Sequence, residues 1–510
     1  MAVSSLPNIG ATWSAAAWKL SRRWLYILHR WIGVVTCLFC AVWFFSGVVM
    51  MYVPYPGLSD RDRMAFSQAI DWSQVQVAPD QALKAAQAKE FPVQFRLSML
   101  QGRPVYRLND GIRRTTISAI DGTALGPFSE ADALAIIKRL HPEAAHPTVK
   151  TLFHDQWTVA QGFNPHRPLH KVSLGDAAGT QLYVSSKTGE VVNDTTATER
   201  FWNWLGAVPH WIYPTVLRQY GEAWRQVIMW TSGPALIGCV LGIWVGILRL
   251  RVKRRYAQGR VSPYRGWMKW HHIAGLIAGL TLTTWMFSGW LSVNPFHWFE
   301  REAASPTAAV AYAGHDASAS FADNAGALRG LALGDAREAR FYWFDGRPMA
   351  ALMRPDLSER VVDAGTGQPI QLTDARIFAA AARTAPGAQM VIRQRLTAED
   401  DYWYSHQNER RLPVLRAGFD DADKTWLHID PTTGEILGRT SDSGRLYRWL
   451  FNALHDFDLR LLLHHRPAWD LLLWALSVGG LIISISGVVI GWRRLGRKLE
   501  SATAPKRRAA

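Results

Sequence analysis

Seven histidines define the chemistry open to this sequence: His29, His210, His271, His272, His455, His464 and His465. All lie within or close to long apolar stretches, where an ionisable side chain is costly and marks a functional hypothesis by default. Four of them form two matched sets. His29 and His271 stand 242 residues apart, near the start of two apolar stretches, and His210 and His455 stand 245 apart, each fourteen residues before a Trp that opens another. A neutral imidazole is an axial ligand for haem iron, and two imidazoles give a closed, six-coordinate centre suited to electron transfer. The expectation is two bis-histidine haems, one near each membrane face, held by His29 with His271 and by His210 with His455. The neighbours His272, His464 and His465 leave the pairing open, and His465 could displace His455 as a ligand. Arg22, Arg23, Arg30, Arg265 and Lys269 on one side, with Arg218, Arg225, Arg460 and Arg466 on the other, could pair with propionates.

Such ligands need facing helices to carry them. Four stretches are almost wholly apolar: about Trp24–Val53, Trp224–Leu250, Trp267–Val293 and Trp469–Trp492. Each exceeds the roughly 20 residues that cross a hydrocarbon core. The 25 tryptophans cluster near their ends, as an amphipathic ring at a membrane–water interface would. The net charge of +16 lies in three places: residues 1–23, the segment 249–269 and the tail from Arg493. That is the distribution of a positive-inside topology rather than of a nucleic-acid binder, so no nucleic-acid partner is expected. Both termini and the central loop then face the cytoplasm, and residues 54–223 and 294–466 face outward. The first stretch is too long for a signal h-region and no small-residue cleavage site follows it, so it reads as an uncleaved anchor. Cys37, Cys40 and Cys239 all fall inside apolar stretches and imply no disulfide framework.

The matched histidines belong to a longer internal match. At an offset of 245, Thr188-Gly189-Glu190 falls on Thr433-Gly434-Glu435, Trp204-Leu205 on Trp449-Leu450, and Gly242 and Gly246 on Gly487 and Gly491. At 242, Gly33 falls on Gly275, Trp43 on Trp285 and Phe45-Ser46-Gly47 on Phe287-Ser288-Gly289. The expected fold class is a membrane α-helical protein with four transmembrane helices as two parallel repeats, each carrying an extracytoplasmic α+β insert. In the first insert, Pro79–Glu90 has helical spacing, and alternating runs follow at Val93–Met99, Val105–Leu108 and Thr115–Ile120. A second helix begins near Ser129, with Gln181–Ser185 and Glu190–Val192 as further strands. The second insert repeats the plan with a helix at Thr373–Thr384 and a hairpin of Trp426–Asp430 and Glu435–Leu437. The alanine-rich piece Ala303–Gly330 reads as a looser connection. The domain reading is 1–53, N-terminus and first helix; 54–200, first insert; 201–250, interfacial segment and second helix; 251–266, basic loop. It continues with 267–293, third helix; 294–443, second insert; 444–492, interfacial segment and fourth helix; 493–510, basic tail.

His29-Arg30-Trp31-Ile32-Gly33 with Phe45-Ser46-Gly47 resembles the first helix of PepSY-associated transmembrane proteins, and Leu454-His455 with Ser486-Gly487 and Gly491-Trp492 resembles their ending. The hairpins Tyr183–Glu190 and His428–Glu435 are similar to PepSY-domain strands. The resemblance covers nearly the whole chain. It implies PepSY-like inserts and a place in the bacterial inner membrane, because some members are ferric-siderophore reductases there, with two b-type haems held by histidines of the helical bundle. The implied activity is transfer of electrons from a quinol or another cytoplasmic-side donor to a ferric siderophore or other iron chelate in the periplasm. The implied cofactor is haem b, two per chain, on His29, His271, His210 and His455. Two rival readings are a non-redox membrane protein whose inserts grip a periplasmic partner in assembly or protease regulation, and a siderophore or iron transporter. Against the latter, only Ser232-Gly233-Pro234 interrupts an apolar stretch. No Ser/His/Asp arrangement, phosphate-cradling glycine loop or His-Glu-x-x-His motif is present, and no nucleotide-binding module is built in.

Overall fold

A computed structural model describes residues 9–299, 305–315, 321, 325–330, 334–406 and 409–503. They form two compact units: a helical one from 1–54, 203–298 and 447–510, and a second from 55–202 and 299–446. Much of the Ala303–Gly330 connection and the end of the basic tail lie outside the described residues. The part of the connection that is described holds two short helices, Pro306–Ala313 and Ala325–Gly330.

In the helical unit, four helices are long and apolar enough to cross a membrane: Leu20–Met50, Gly221–Arg249, Trp267–Leu291 and Arg466–Glu500. The second continues unbroken through Pro234. The first helix packs on the second and fourth, and the third packs on the same two. The four thus form a ring in which the first and third stand diagonally opposite. Between apolar helices there is no hydrophobic drive to associate in lipid, so close packing of small residues takes its place. A Cβ on Gly480 of the fourth helix would fall 2.2 Å from the Phe44 ring of the first, and one on Gly479 would fall 2.8 Å from Ala278. Cys40, Phe44, Leu282, Trp285, Met286 and Leu473 fill the middle of the ring.

The second unit is built on antiparallel strands. Those of the first insert are β1 (Gln94–Leu100), β2 (Arg103–Asn109), β3 (Arg114–Ser118), β4 (Ala124–Leu125), β5 (Thr148–Leu152), β6 (Leu169–Ser173), β7 (Gln181–Ser185) and β8 (Val191–Thr195). Those of the second are β9 (Glu338–Phe344), β10 (Arg347–Met353), β11 (Glu359–Asp363), β12 (Met390–Leu396), β13 (Val414–Phe419), β14 (Trp426–Ile429) and β15 (Ile436–Thr440). The inserts do not stand apart. β1 and β9 pair edge to edge with Arg96 opposite Arg340, making one sheet in the order β11-β10-β9-β1-β2-β3-β4. Each would otherwise be an open edge, and joining them satisfies both rows of backbone groups. Two four-stranded sheets, β5–β8 and β12–β15, complete the unit. The helix Glu130–Leu140, closed by a Ser129/Asp132 capping box, buries Ala133, Ile136 and Ile137. The helix Asp374–Ala382 buries Ile377, Ala380 and Ala381.

Most expected elements stand within a residue or two of their places. The helix from Pro79 stops at Ala85 rather than near Glu90, because Gln87 turns left-handed at φ 54°. β8 starts one residue later than expected and runs on to Thr195, past a bulge at Tyr183/Val184 that shifts its register.

Because Gly480 has no room for a side chain, Gly480→Leu should destabilise the detergent-solubilised protein by about 1–3 kcal/mol. Adding Phe44→Ala should recover part of that loss if this contact is the cause. Thermal midpoints of the two variants against the parent check it.

Candidate functional site

The four paired histidines meet two by two. His29 projects from the first long helix and His271 from the diagonally opposite third, and their ring centres are 6.2 Å apart, tilted by 40°. His210 ends the short turn Ala207–His210 and His455 ends Asn452–His455. Their ring centres are also 6.2 Å apart, at 72°. Each turn is fixed from behind: the Trp224 indole donates to the Trp211 carbonyl (2.8 Å) and the Trp469 indole to the Asp456 carbonyl (2.9 Å). That is the structural reason for a Trp fourteen residues after each histidine. His29 and Ser46, which touch different pairs, lie seventeen residues apart on one helix, so at 1.5 Å per residue the pairs are roughly 25 Å apart along it.

The hydrogen bonds determine which ring nitrogen is free. His29 Nδ1 lies 2.9 Å from the Gly238 carbonyl, His271 Nδ1 3.0 Å from the Ile483 carbonyl and His210 Nδ1 3.2 Å from the Trp43 carbonyl. A carbonyl only accepts, so Nδ1 carries the proton in each. His455 Nδ1 is 2.9 Å from Ser288 Oγ. That hydroxyl gives its proton to the Thr284 carbonyl at 2.8 Å, so here too Nδ1 donates. Ser46 and Ser486 stand likewise beside His210 and His271. All four rings share one tautomer, with the lone pair on Nε2, and among the described residues nothing hydrogen-bonds to Nε2. Burial pushes His210 down to about 4 and His455, which also feels His210, down to about 3. Both are neutral donors near pH 7.

Histidines that ligate metals commonly donate their other ring N–H in this way. Two imidazoles on opposite sides of one metal ion, each nitrogen about 2 Å from it, have ring centres roughly 6 Å apart. The backbone leaves room beside them. A Cβ on Gly275, one turn beyond His271, would meet nothing within 4 Å, and one on Gly33, one turn beyond His29, would meet only Cys37 Sγ at 3.8 Å. Each histidine also lies against a glycine of a neighbouring helix. A Cβ would stand 2.7 Å from His29 at Gly242, 3.4 Å from His271 at Gly487, 3.3 Å from His210 at Gly47 and 3.7 Å from His455 at Gly289. The residues at His29 and His271 fit a bis-imidazole haem, and the His210/His455 pair repeats their ring spacing and Nδ1 bonding.

The other candidates stand elsewhere. His272 is buried, with Nδ1 2.9 Å from Ser262 Oγ and Nε2 2.9 Å from the Gly246 carbonyl, so its Nε2 proton is committed and no lone pair faces a metal. His464 and His465 are exposed at the start of the fourth long helix, and His465 Nδ1 is 2.7 Å from the Leu461 carbonyl. Among the cations, Arg218 stacks on Tyr213 and Trp224, Arg225 pairs with Glu222, and Arg466 pairs with Asp470.

Four long apolar helices enclosing two facing histidine pairs, with an α+β unit in the intervening chain, define a polytopic helical membrane protein. The sequence profile of the PepSY-associated TM region matches residues 26–340 and 341–510, and the chain belongs to that family. No curated protein and no solved structure matches it.

Three buried histidines of the second unit, His166, His170 and His428, were not singled out by spacing. His428 stacks on Trp403 with ring centres 4.5 Å apart and accepts from Arg416 at Nε2 (2.9 Å). Burial, then Arg416, pushes it down to about 3, and burial with Arg114 pushes His166 to about 4. The unfolded chain takes up these protons near pH 6.5 while the folded one refuses them. Stability should therefore fall as pH drops from 6.5 toward 4, by on the order of 1.4 kcal/mol per pH unit for each of His428 and His166. Thermal midpoints across that range check this, and the slope should lessen in His428→Asn.

Proposed function

We propose that this protein is a di-haem electron carrier of the bacterial inner membrane that reduces a ferric siderophore or similar iron chelate. The carrying observation is the pair of 6.2 Å histidine contacts, in which all four rings keep Nδ1–H bonded and Nε2 free. His29 with His271, and His210 with His455, would each hold one haem b. When bound there, haem b supplies a one-electron ferric/ferrous couple.

The chain's own residues do the rest. The carbonyls of Gly238, Ile483 and Trp43 and the hydroxyl of Ser288 hold the rings in one orientation and raise the basicity of Nε2. Phe44, Leu282, Trp285 and Met286 keep the space between the two pairs apolar. A quinol oxidised to quinone releases two protons and two electrons, enough to take two chelated iron ions from ferric to ferrous; another cytoplasmic-side donor would supply one electron for each. Hard oxygen ligands hold the ferrous ion less well, so reduction releases the metal.

Two parallel repeats fit the equivalence of the partners. Gly238 and Ile483 stand 245 residues apart, as do Gly242 and Gly487, and Ser46 and Ser288 stand 242 apart. The basic residues from Arg249 to Lys269 and beyond Arg493 support a topology with both termini cytoplasmic and the inserts periplasmic.

The purified protein should show a b-type reduced-minus-oxidised visible spectrum and two haems per chain. His29→Ala and His210→Ala should each remove one haem, and His272→Ala none. Colourless protein from haem-replete cells would refute the reading and favour a partner-binding or transport role. Retention of both haems in either of the first two variants would refute the pairing.

A further inference from the structure

We propose that a cleft in the second unit is a binding site for a small multivalent oxyanion, a di- or tricarboxylate or a phosphate. It encloses roughly 90 Å³, room for several waters or one small organic anion. Its charged lining is Arg63, Arg96, Arg107 and Arg139 against Glu190 and Glu338. Phe66, Met99 and Ile136 add an apolar wall.

The carboxylates are already engaged. Arg96 bridges Glu190 (2.8 Å) and Glu338 (2.9 Å), and Arg63 also bonds Glu338. Burial opposes the charge on Glu190, but Arg107 and Arg96 hold its carboxyl well below the usual range, so it stays ionised; Arg63 also pairs with Asp60 (3.1 Å), and one guanidinium is in excess. Arg107 is buried; its Nε donates to Ser98 Oγ (3.0 Å) and its Nη1 to the Thr188 carbonyl (2.6 Å). Its nearest carboxylate oxygen, on Glu190, is 3.6 Å away. Arg139 has no ion pair among the described residues. Arg96 Nε and Glu338 Oε1 are buried without hydrogen-bond partners. Surplus guanidinium and the unmatched Arg96 N–H make a wall that an oxyanion's acceptor oxygens complete, while Glu338 Oε1, an acceptor, is matched only by a ligand hydroxyl or a water.

The matching place in the second insert, 244 residues on (245 at Thr433), is lined differently. Tyr342 stands where Ser98 does, and its hydroxyl reaches the Thr433 carbonyl (2.8 Å), the bond that Arg107 makes to Thr188. Ala351 replaces Arg107. Asp345 replaces Gln101 and pairs with both Arg376 (2.6 Å) and Arg383 (2.9 Å), the latter the counterpart of Arg139. The same local fold thus carries Tyr342 and Ala351 in one insert where it carries Ser98 and Arg107 in the other, and gives the unpaired Arg139's counterpart a carboxylate.

The site is separate from the histidine pairs and stands whether or not haem binds. The test is calorimetric titration of the full chain in detergent at low salt and pH 7 with citrate, succinate and inorganic phosphate. At least one should bind saturably. Arg139→Ala should weaken it by about tenfold, and Ser98→Tyr with Arg107→Ala, the pair the second insert already folds with, should abolish it. Gln101→Asp, which sets a carboxylate beside Arg139 as Asp345 stands beside Arg383, should weaken it and covers a double variant that misfolds. Binding of the carboxylates alone assigns a carboxylate site, and binding of phosphate alone a phosphate site. No binding of any of the three, or binding that survives both the double variant and Gln101→Asp, overturns the proposal.

Discussion

An imidazole among apolar helices must place its N–H, and that requirement organises the centre of this protein. A buried donor left without an acceptor costs on the order of 1–3 kcal/mol. Helix backbones offer few acceptors, because their carbonyls are already used. Here His29 and His271 reach carbonyls of the second and fourth long helices as second acceptor bonds, and His210 does the same to the first. Once Nδ1–H is committed, the neutral ring has one lone pair left, on Nε2. The orientation of the four rings and their capacity to ligate a metal are therefore one constraint.

Close helix approach follows from it. A side-chain nitrogen reaches a neighbour's carbonyl only where that neighbour presents no Cβ in the way, hence Gly242 and Gly487 against His29 and His271. Small hydroxyls act in the same sense. Ser46, Ser288 and Ser486 are fully buried, satisfied by their own helices, and able to accept from a ring beside them. The second unit solves a different problem, two sheet edges that need partners, and solves it by pairing them with each other.

The pairing of histidines was legible because internal spacing separates matched residues from unmatched ones. His29 and His271 share an offset with Gly33 and Gly275, and His210 and His455 share one with Gly242 and Gly487. The tandem histidines were not resolvable that way. Adjacent residues on a helix point about 100° apart, so His271 faces the fourth long helix while His272 turns to Gly246 and the Ser262 loop. Choosing between them needs the position of the neighbouring helices, which no spacing encodes. The cationic cleft escaped for a similar reason, since its arginines and glutamates come from segments far apart in the chain and ordinary in composition.

By itself the sequence determined the elements: four spans from apolar length, the strand and helix plan of the inserts from alternation and turn residues, and the matched histidines from internal spacing. These are local or self-referential properties, readable along one dimension. Only the tertiary structure decided that the first and third long helices stand diagonally across the ring, that the two inserts share one sheet, and that each paired ring spends its proton on Nδ1. Those depend on which acceptor, edge or glycine a distant segment brings within about 3 Å, and that is set by packing in three dimensions.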